Sequence, residues 1–416
     1  MKRNAVLLFI YTFICAVLFV IFIQAPPCED TIERAETSPA APWDLEVLSE
    51  PPEFQWIDQT SKTRSLIYMG PPYQDHKQTR VFAYYSTPGI LKGDPSLDAG
   101  LPAMVLVHGG GGRAFEEWAA LWAGRGYAAI AMDLAGCGMD GKRLPDGGPD
   151  QSDQTKFGNI DQPMTEQWTY HAVANVILAH SLIRSFAEVD GGRVGLTGIS
   201  WGGYLTCITA GVDNRFKAAA PVYGCGFLHE NSVWLDWFEK RFTPDQAKKW
   251  IRLWDPSMYA GSAVMPMLFI NGGRDFAYPP DSHSKTYGLV RSEKNLYYVP
   301  DLNHGHIFDR PNELEIFIDS QLKGGEPLPR ITAVHVDQGM VRAKAAARKL
   351  TSAVLYFTYD PMRMDHRKRT WTEQEAQLDE NVIQCEEPKE AAAWFLTATD
   401  DRGATVASEL QFPKAE

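Results

Sequence analysis

A surplus of positive charge, a paired-cysteine motif and an internal repeat are all missing from this chain of 416 residues. Its 40 Lys and Arg are outnumbered by 52 Asp and Glu, giving a formal net charge of -12. That balance excludes nucleic acid as a partner, because phosphate binding needs a basic footprint. The densest basic run, His366-Arg367-Lys368-Arg369, is short, is flanked by acids and reads as a solvated face. The six cysteines form no CxxC pair, so a zinc site or a thioredoxin-like redox centre has no support. Cys207 reads as a small buried hydrophobe. Cys137 and Cys225 each follow a predicted strand and are candidates to approach one another.

What is present starts with ordinary globular composition, 44% apolar and 22% charged. The length exceeds what one hydrophobic core usually takes, which implies a large domain with appendages. Lys2 and Arg3 precede an apolar run from Ala5 to Ile23, and Pro26 and Pro27 end it. A positive start before a hydrophobic stretch is the outline of an export signal. The run is also long enough to span a bilayer. Residues 1–25 therefore read either as a cleaved signal peptide or as an N-terminal membrane anchor, with Pro26 hindering cleavage. Both readings place the rest of the chain outside the cytoplasm, as a secreted, periplasmic or surface-anchored protein. Cys28 follows two prolines rather than a lipobox, which argues against lipidation. Residues 26–50, rich in Pro, Ala, Thr and acids, read as a linker.

From residue 51 to 325 short apolar segments alternate with helical patterns, the signature of a mostly parallel sheet covered on both faces. Strands are predicted near 103–108, 128–134, 193–199, 218–223, 267–271 and 296–299. The clearest helix runs over about 166–188, with Val173, Ile177, Leu178, Leu182 and Ile183 on one stripe. Residues 226–262 interrupt the alternation and carry Trp234, Trp237, Phe238, Trp250 and Trp254 at helical spacing. They read as a helical cap, with Trp234 and Trp237 as candidate substrate contacts. Beyond Gly324 and Gly325 the pattern becomes antiparallel strands without crossover helices, so residues 326–416 are expected to form a separate all-β, sandwich-like domain that supplies no catalytic group.

The strongest chemical signal is Gly198-Ile199-Ser200-Trp201-Gly202, which follows an apolar strand and opens a helix. A sharp turn there exposes the serine hydroxyl above the sheet, while the glycines let strand and helix approach closely. His108-Gly109-Gly110-Gly111-Gly112 also ends a strand, and a glycine loop there leaves backbone N–H groups free to bind an oxyanion. The expected donors are the N–H groups of Trp201 and of Gly110, with Gly111 as the alternative; His108 reads as a structural ring beneath the loop. Asp275 follows an apolar strand and a glycine turn, delivering a carboxylate at the sheet edge where catalytic groups collect. Asp213 and Asp301 are the weaker candidates for that role. His304, on the loop after the last strand and followed by a glycine, is the expected base, with His306 as the alternative. Read as a metal pair, the two histidines lack a third ligand at fixed spacing, so no metal and no cofactor is called for.

These motifs in this order resemble those of the α/β-hydrolases, in the branch of acetylxylan esterases, dienelactone hydrolases and prolyl oligopeptidase-type enzymes. The resemblance covers roughly residues 101–322 and implies a Ser200, Asp275 and His304 triad working through an acyl-enzyme. It implies an ester hydrolase acting on small-molecule or carbohydrate esters, with a serine peptidase or a lactone-opening enzyme as alternatives. The peptidases resemble one another in carrying a large β-propeller before the hydrolase domain, and the stretch ahead of the oxyanion strand is too short for one. A binding module on a hydrolase fold is the non-enzymatic reading, and the intact Ser, Asp, His and glycine loop argue against it.

Overall fold

A computed structural model describes residues 41–347 and 349–413. The signal or anchor expected over 1–25, and the linker as far as residue 40, lie outside the described residues. Among the described residues no helix is long and apolar enough to cross a membrane.

The body of the molecule is one mixed sheet. Its strands are β1 (Phe54–Asp58), β2 (Arg64–Gly70), β3 (Thr79–Ser86), β4 (Leu101–Val107), β5 (Ala128–Met132), β6 (Val189–Ile199), β7 (Ala218–Val222), β8 (Met267–Arg274) and β9 (Lys294–Asn303). They lie in the order β1-β2-β3-β5-β4-β6-β7-β8-β9. Pairing is antiparallel up to β3 and β5, and parallel from β5 through β9. Strands β4, β5 and β7 are buried along their whole length, as a sheet covered on both faces requires.

The helices are α1 (Leu45–Leu48), α2 (Pro88–Lys92), α3 (Glu116–Gly124), α4 (Trp168–Arg184), α5 (Trp201–Val212), α6 (Pro244–Trp254), α7 (Pro280–Leu289) and α8 (Asn312–Leu322). Helices α4 and α5 pack on each other and on β6. An Arg125–Glu315 ion pair of 2.9 Å ties the end of α3 to α8. Helix α4 was expected to bury one stripe, yet it is buried on nearly every side from Trp168 to Ile183. Its outer side is covered by the segment before β1. Trp43 is 4% exposed and donates Nε1–H to Tyr170 O at 2.8 Å, and Ser181 Oγ donates to Leu48 O at 2.7 Å. The expected linker therefore gives way to packed structure before residue 50, because a helix buried on nearly every side needs cover on its outer face too.

The C-terminal strands are β10 (Arg330–Asp337), β11 (Met340–Ala346), β12 (Leu350–Thr358), β13 (Thr372–Glu375), β14 (Gln377–Asp379), β15 (Val382–Glu386), β16 (Ala393–Asp400) and β17 (Thr405–Ala407). Among the described residues they form an antiparallel sheet β10-β11-β15-β14 and a run β17-β16-β12-β13. Val341, Ile383, Leu355 and Leu396 share the core between the two. This β-domain does not stand free. Strand β17 pairs with the edge of β9 at Ala407 and Leu296, extending the central sheet. Phe395, Val406 and Leu410 are buried in the main core, and Thr405 N–H donates to Glu313 Oε1 on α8 at 3.0 Å. An unpaired β9 would present an open edge, and β17 covers it.

Cys137 and Cys225, candidates to approach one another, are both free thiols, Cys225 fully buried. One further expectation is corrected. The basic run at 366–369 is not one solvated face. Arg367 and Lys368 are exposed, but Arg369 is fully buried and donates to the carbonyls of Asp360, Pro361 and Met362 at 3.1, 3.0 and 3.3 Å. A guanidinium with five donors can exchange water for carbonyls of its own loop.

Phe395 is fully buried and packs on Tyr298, with ring centroids 5.0 Å apart, where the β-domain meets β9. Phe395→Ala should lower the stability of the whole chain by ~3–5 kcal/mol. Chemical denaturation followed by tryptophan fluorescence should show one shifted transition, whereas two separate transitions would mean that the β-domain folds independently.

Candidate active site

Ser200 occupies the turn between β6 and α5 with φ 62° and ψ -121°, a conformation that non-glycine residues rarely adopt. The turn can be this tight because its neighbours lack side chains. A Cβ on Gly198 would collide with the carbonyl of Gly202, and one on Gly202 with the carbonyl of Val107 on β4. Strand, helix and adjacent strand thus touch backbone to backbone. Ser200 N–H donates to Val222 O on β7 at 2.9 Å, and Ser200 O accepts from Tyr204 N–H at 2.9 Å. The serine backbone is held on both sides.

The loops after β8 and β9 deliver the two partners. His304 lies one residue beyond β9, with Nε2 2.8 Å from Ser200 Oγ and Nδ1 2.8 Å from Asp275 Oδ2. Asp275 is 1% exposed, and its Oδ1 accepts the N–H groups of Ala277 and Tyr278 at 2.7 and 2.9 Å. Asn271 braces that loop by donating to Tyr278 O at 3.0 Å. The imidazole is flanked by the rings of Tyr223 at 4.6 Å and Phe276 at 5.0 Å. His306 borders the same space as Ser200 but rests its ring against Phe115 at 5.1 Å and Phe308 at 5.7 Å, and partial desolvation, with His304 adding to it, pushes its pKa down. Asp213 sits elsewhere, paired with His180 and Arg215, and Asp301 pairs with Arg274.

A cavity of about 380 Å³ opens over Ser200. Gly110 and Trp201 line it, with the Trp201 N–H the first of α5, where helical N–H groups have no intrahelical acceptor. The Gly111 N–H is engaged by Gln151 Oε1 at 3.2 Å, which favours Gly110 as the second donor. Beneath the loop, buried His108 accepts Leu134 N–H on Nε2 at 2.8 Å, and its Nδ1 lies 2.8 Å from Gly109 O. Because Nε2 accepts an N–H it carries no proton, so the ring is a neutral prop, and burial lowers its pKa in the same sense.

Of the two cap residues proposed as substrate contacts, the structure brings only Trp234 to this cavity, its ring 4.6 Å from that of Trp201. Trp237 does not line it; its ring stacks on Phe157 at 5.2 Å under Arg241. Trp234 lies in a turn before the first helical residue, Leu235, so the i, i+3 spacing that would have put both indoles on one face does not hold. Trp250 and Trp254 are fully buried, their Nε1–H groups donating to Lys156 O at 2.8 Å and Gln167 Oε1 at 2.6 Å. They pack the insertion onto the body.

Two lining residues had no sequence signal. Phe276 is part of an unpatterned loop. Lys156 lies in a polar stretch, yet its side chain is 8% exposed and its Nζ stands 4.6 Å from the centre of the Trp201 ring. Burial lowers its pKa against the opposing pull of Asp153, whose Oδ1 is 3.3 Å away.

The parallel sheet, the serine elbow and the loops converging on it define an α/β-hydrolase. More particularly, a family model for acetyl xylan esterases matches residues 46–305, more than half of the chain, and the chain belongs to that family of carboxylesterase-type hydrolases. An acetyl xylan esterase from Paenibacillus sp. R4 has a similar structure, with a TM-score of 0.54 at 20% identity over 67% of this chain and 92% of that one. Acetyl xylan esterase 1 from Thermoanaerobacterium sp. JW/SL YS485 gives 0.50 at 18% identity over 67% and 93%. Likeness at this identity speaks for the fold. A curated relative, the uncharacterized peptidase YuxL of Bacillus subtilis (strain 168), is 25% identical over 219 residues, 49% of this chain. The matched segment spans 31% of that relative's length.

The positive φ at Ser200 costs about 1–3 kcal/mol in a residue with a Cβ. Ser200→Gly should therefore unfold at a higher denaturant concentration than Ser200→Ala, with both variants inactive. Equal midpoints would show that the turn stores no strain.

Proposed function

We propose that this protein hydrolyses carboxylic esters of small acyl groups, acetyl foremost, by two-step acyl transfer. The observation that carries the proposal is the continuous hydrogen-bonded line from Ser200 through His304 to Asp275, opening on a cavity of about 380 Å³. In this reading Ser200 Oγ attacks the ester carbonyl as His304 Nε2 takes its proton. Asp275, its other oxygen occupied by two backbone N–H groups, holds the ring tautomer and stabilises the imidazolium. The N–H groups of Gly110 and Trp201 receive the oxyanion, each worth on the order of 10²–10³ in turnover. His304 then protonates the departing alcohol, and water enters to release the acid by the reverse path. No step calls on a metal or an organic cofactor.

Membership of the acetyl xylan esterase family supports an acetylated carbohydrate as the substrate class. The basic and apolar N-terminal sequence supports export, with the enzyme acting outside the cytoplasm, free or held at a membrane by residues 1–25.

Steady-state hydrolysis of 4-nitrophenyl acetate by purified variants tests the assignment. Ser200→Ala should lose several orders of magnitude in kcat while remaining folded. His304→Ala should be nearly as damaging and His306→Ala should cost less than tenfold. The reverse ranking of the two histidines would move the base to His306, and a folded Ser200→Ala with substantial activity would remove the serine mechanism. Prolyl or acylaminoacyl peptide amides cleaved faster than any acetyl ester would turn the reading toward a peptidase.

A further inference from the structure

A second cavity, of about 590 Å³, adjoins the first. Phe276 lines both. The chain between Asn231 and Leu235 divides them: Val233 and Leu235 line the second cavity, and Trp234 between them lines the first. The far wall is not part of the hydrolase body. It is built by Arg363, Met364, Asp365 and Arg367, from the loop that leads from β12 to β13 of the β-domain.

That loop is firmly placed. Arg369 gathers three of its carbonyls, and Asp360 Oδ2 accepts Thr370 N–H at 2.7 Å. Asn231 reaches across to donate to Met362 O at 3.2 Å, while Arg363 donates to Glu230 O at 2.6 Å. Arg274, beside the Asp275 loop, donates to Arg369 O at 3.4 Å. None of these contacts touches Ser200 or His304, and the family match ends at residue 305, before this loop.

Which end of an ester points this way follows from the chemistry of the first cavity. His304 must reach the leaving oxygen to protonate it, so the alcohol departs on the histidine side. The carbonyl oxygen faces the oxyanion donors, which leaves the acyl group off the histidine side. Phe276 stands 5.0 Å from the His304 ring and 42% exposed, and the second cavity begins behind it. The lining mixes exposed apolar surface (Val233, 50% exposed, with Phe276 and Met364) with paired charges, Arg367 to Asp365 at 2.8 Å. Apolar faces for ring C–H groups beside donors and acceptors for hydroxyls suit a neutral sugar better than an aliphatic chain or an ion.

We infer that this cavity is a leaving-group subsite, built jointly by the cap and the β-domain, which holds the sugar chain of an acetylated oligosaccharide while its ester sits at Ser200. The inference rests on the ester-hydrolase reading and gives the β-domain a part in substrate choice. Three substrates separate the two: 4-nitrophenyl acetate, an acetylated xylose monomer and an acetylated xylo-oligosaccharide of a few units. The full chain should show a KM at least tenfold lower for the oligosaccharide than for the monomer. Val233→Trp, which fills the cavity from a half-exposed position, and Arg367→Ala on the opposite wall should each reduce the ratio of kcat/KM for oligosaccharide to that for 4-nitrophenyl acetate at least tenfold. Equal KM values for monomer and oligosaccharide, or an unchanged ratio in both folded variants, would overturn the subsite while leaving the esterase in place. Activity on the aryl ester with none on either sugar acetate would do the same. A chain inert toward all three esters would remove the esterase reading itself, and the subsite with it.

Discussion

Everything near the site depends on one steric constraint, the backbone contact of β4, β6 and α5 around Ser200. Gly198 and Gly202 allow three main chains to meet where a single methyl group would force them apart. The serine is thereby lifted above the sheet in a conformation that its own Cβ disfavours, and the ladder from β7 keeps it there. Free energy is lost locally and recovered in the packing of an α5 buried over most of its length. An elbow on a weaker sheet would relax and lower the hydroxyl out of reach of His304.

Around that fixed point the parallel sheet supplies direction. Strands β6, β8 and β9 all end on one edge, so the loops carrying Ser200, Asp275 and His304 emerge together although the residues are far apart in sequence. The acid is the most deeply buried of the three and is clamped by two backbone donors from its own loop. That loop is in turn buttressed from outside by the β-domain. A Cβ at Gly273 would collide with the Trp371 indole, and Trp371 packs on Phe395 with ring centroids 5.2 Å apart. The C-terminal strands therefore complete the sheet and also press on the segment that presents Asp275.

The two walls of the catalytic cavity differ in character. On the side of the oxyanion donors, Lys156, Trp201 and Trp234 pack against one another, with a desolvated ammonium over an indole. On the side of His304 the cavity leads past a half-exposed Phe276 to a second and larger one. A smaller space walled by indoles beside a larger one is the shape expected where a short acyl group is held and the alcohol is free to be large.

The sequence by itself determined the parts with local signatures. Apolar runs bounded by glycine gave the parallel strands, the Gly-x-Ser-x-Gly pattern gave the turn, and chain order pointed to Ser200, Asp275 and His304, whose side chains the structure brings within hydrogen-bond distance. These were legible because strand period, turn chemistry and close backbone approach each restrict residue type at fixed spacing. Only the tertiary structure decided which tryptophan faces the cavity, that Lys156 is drawn beneath it, that Arg369 is buried, that Trp43 covers α4, and that the β-domain joins β9. Helical spacing placed Trp234 and Trp237 together, but Trp234 sits in a turn ahead of the helical residues, so the two do not share a face. An arginine within a basic run looks the same in sequence whether water or three carbonyls receive its protons. The fate of such residues is set by segments distant along the chain, and no short-range pattern records which surfaces those segments will cover.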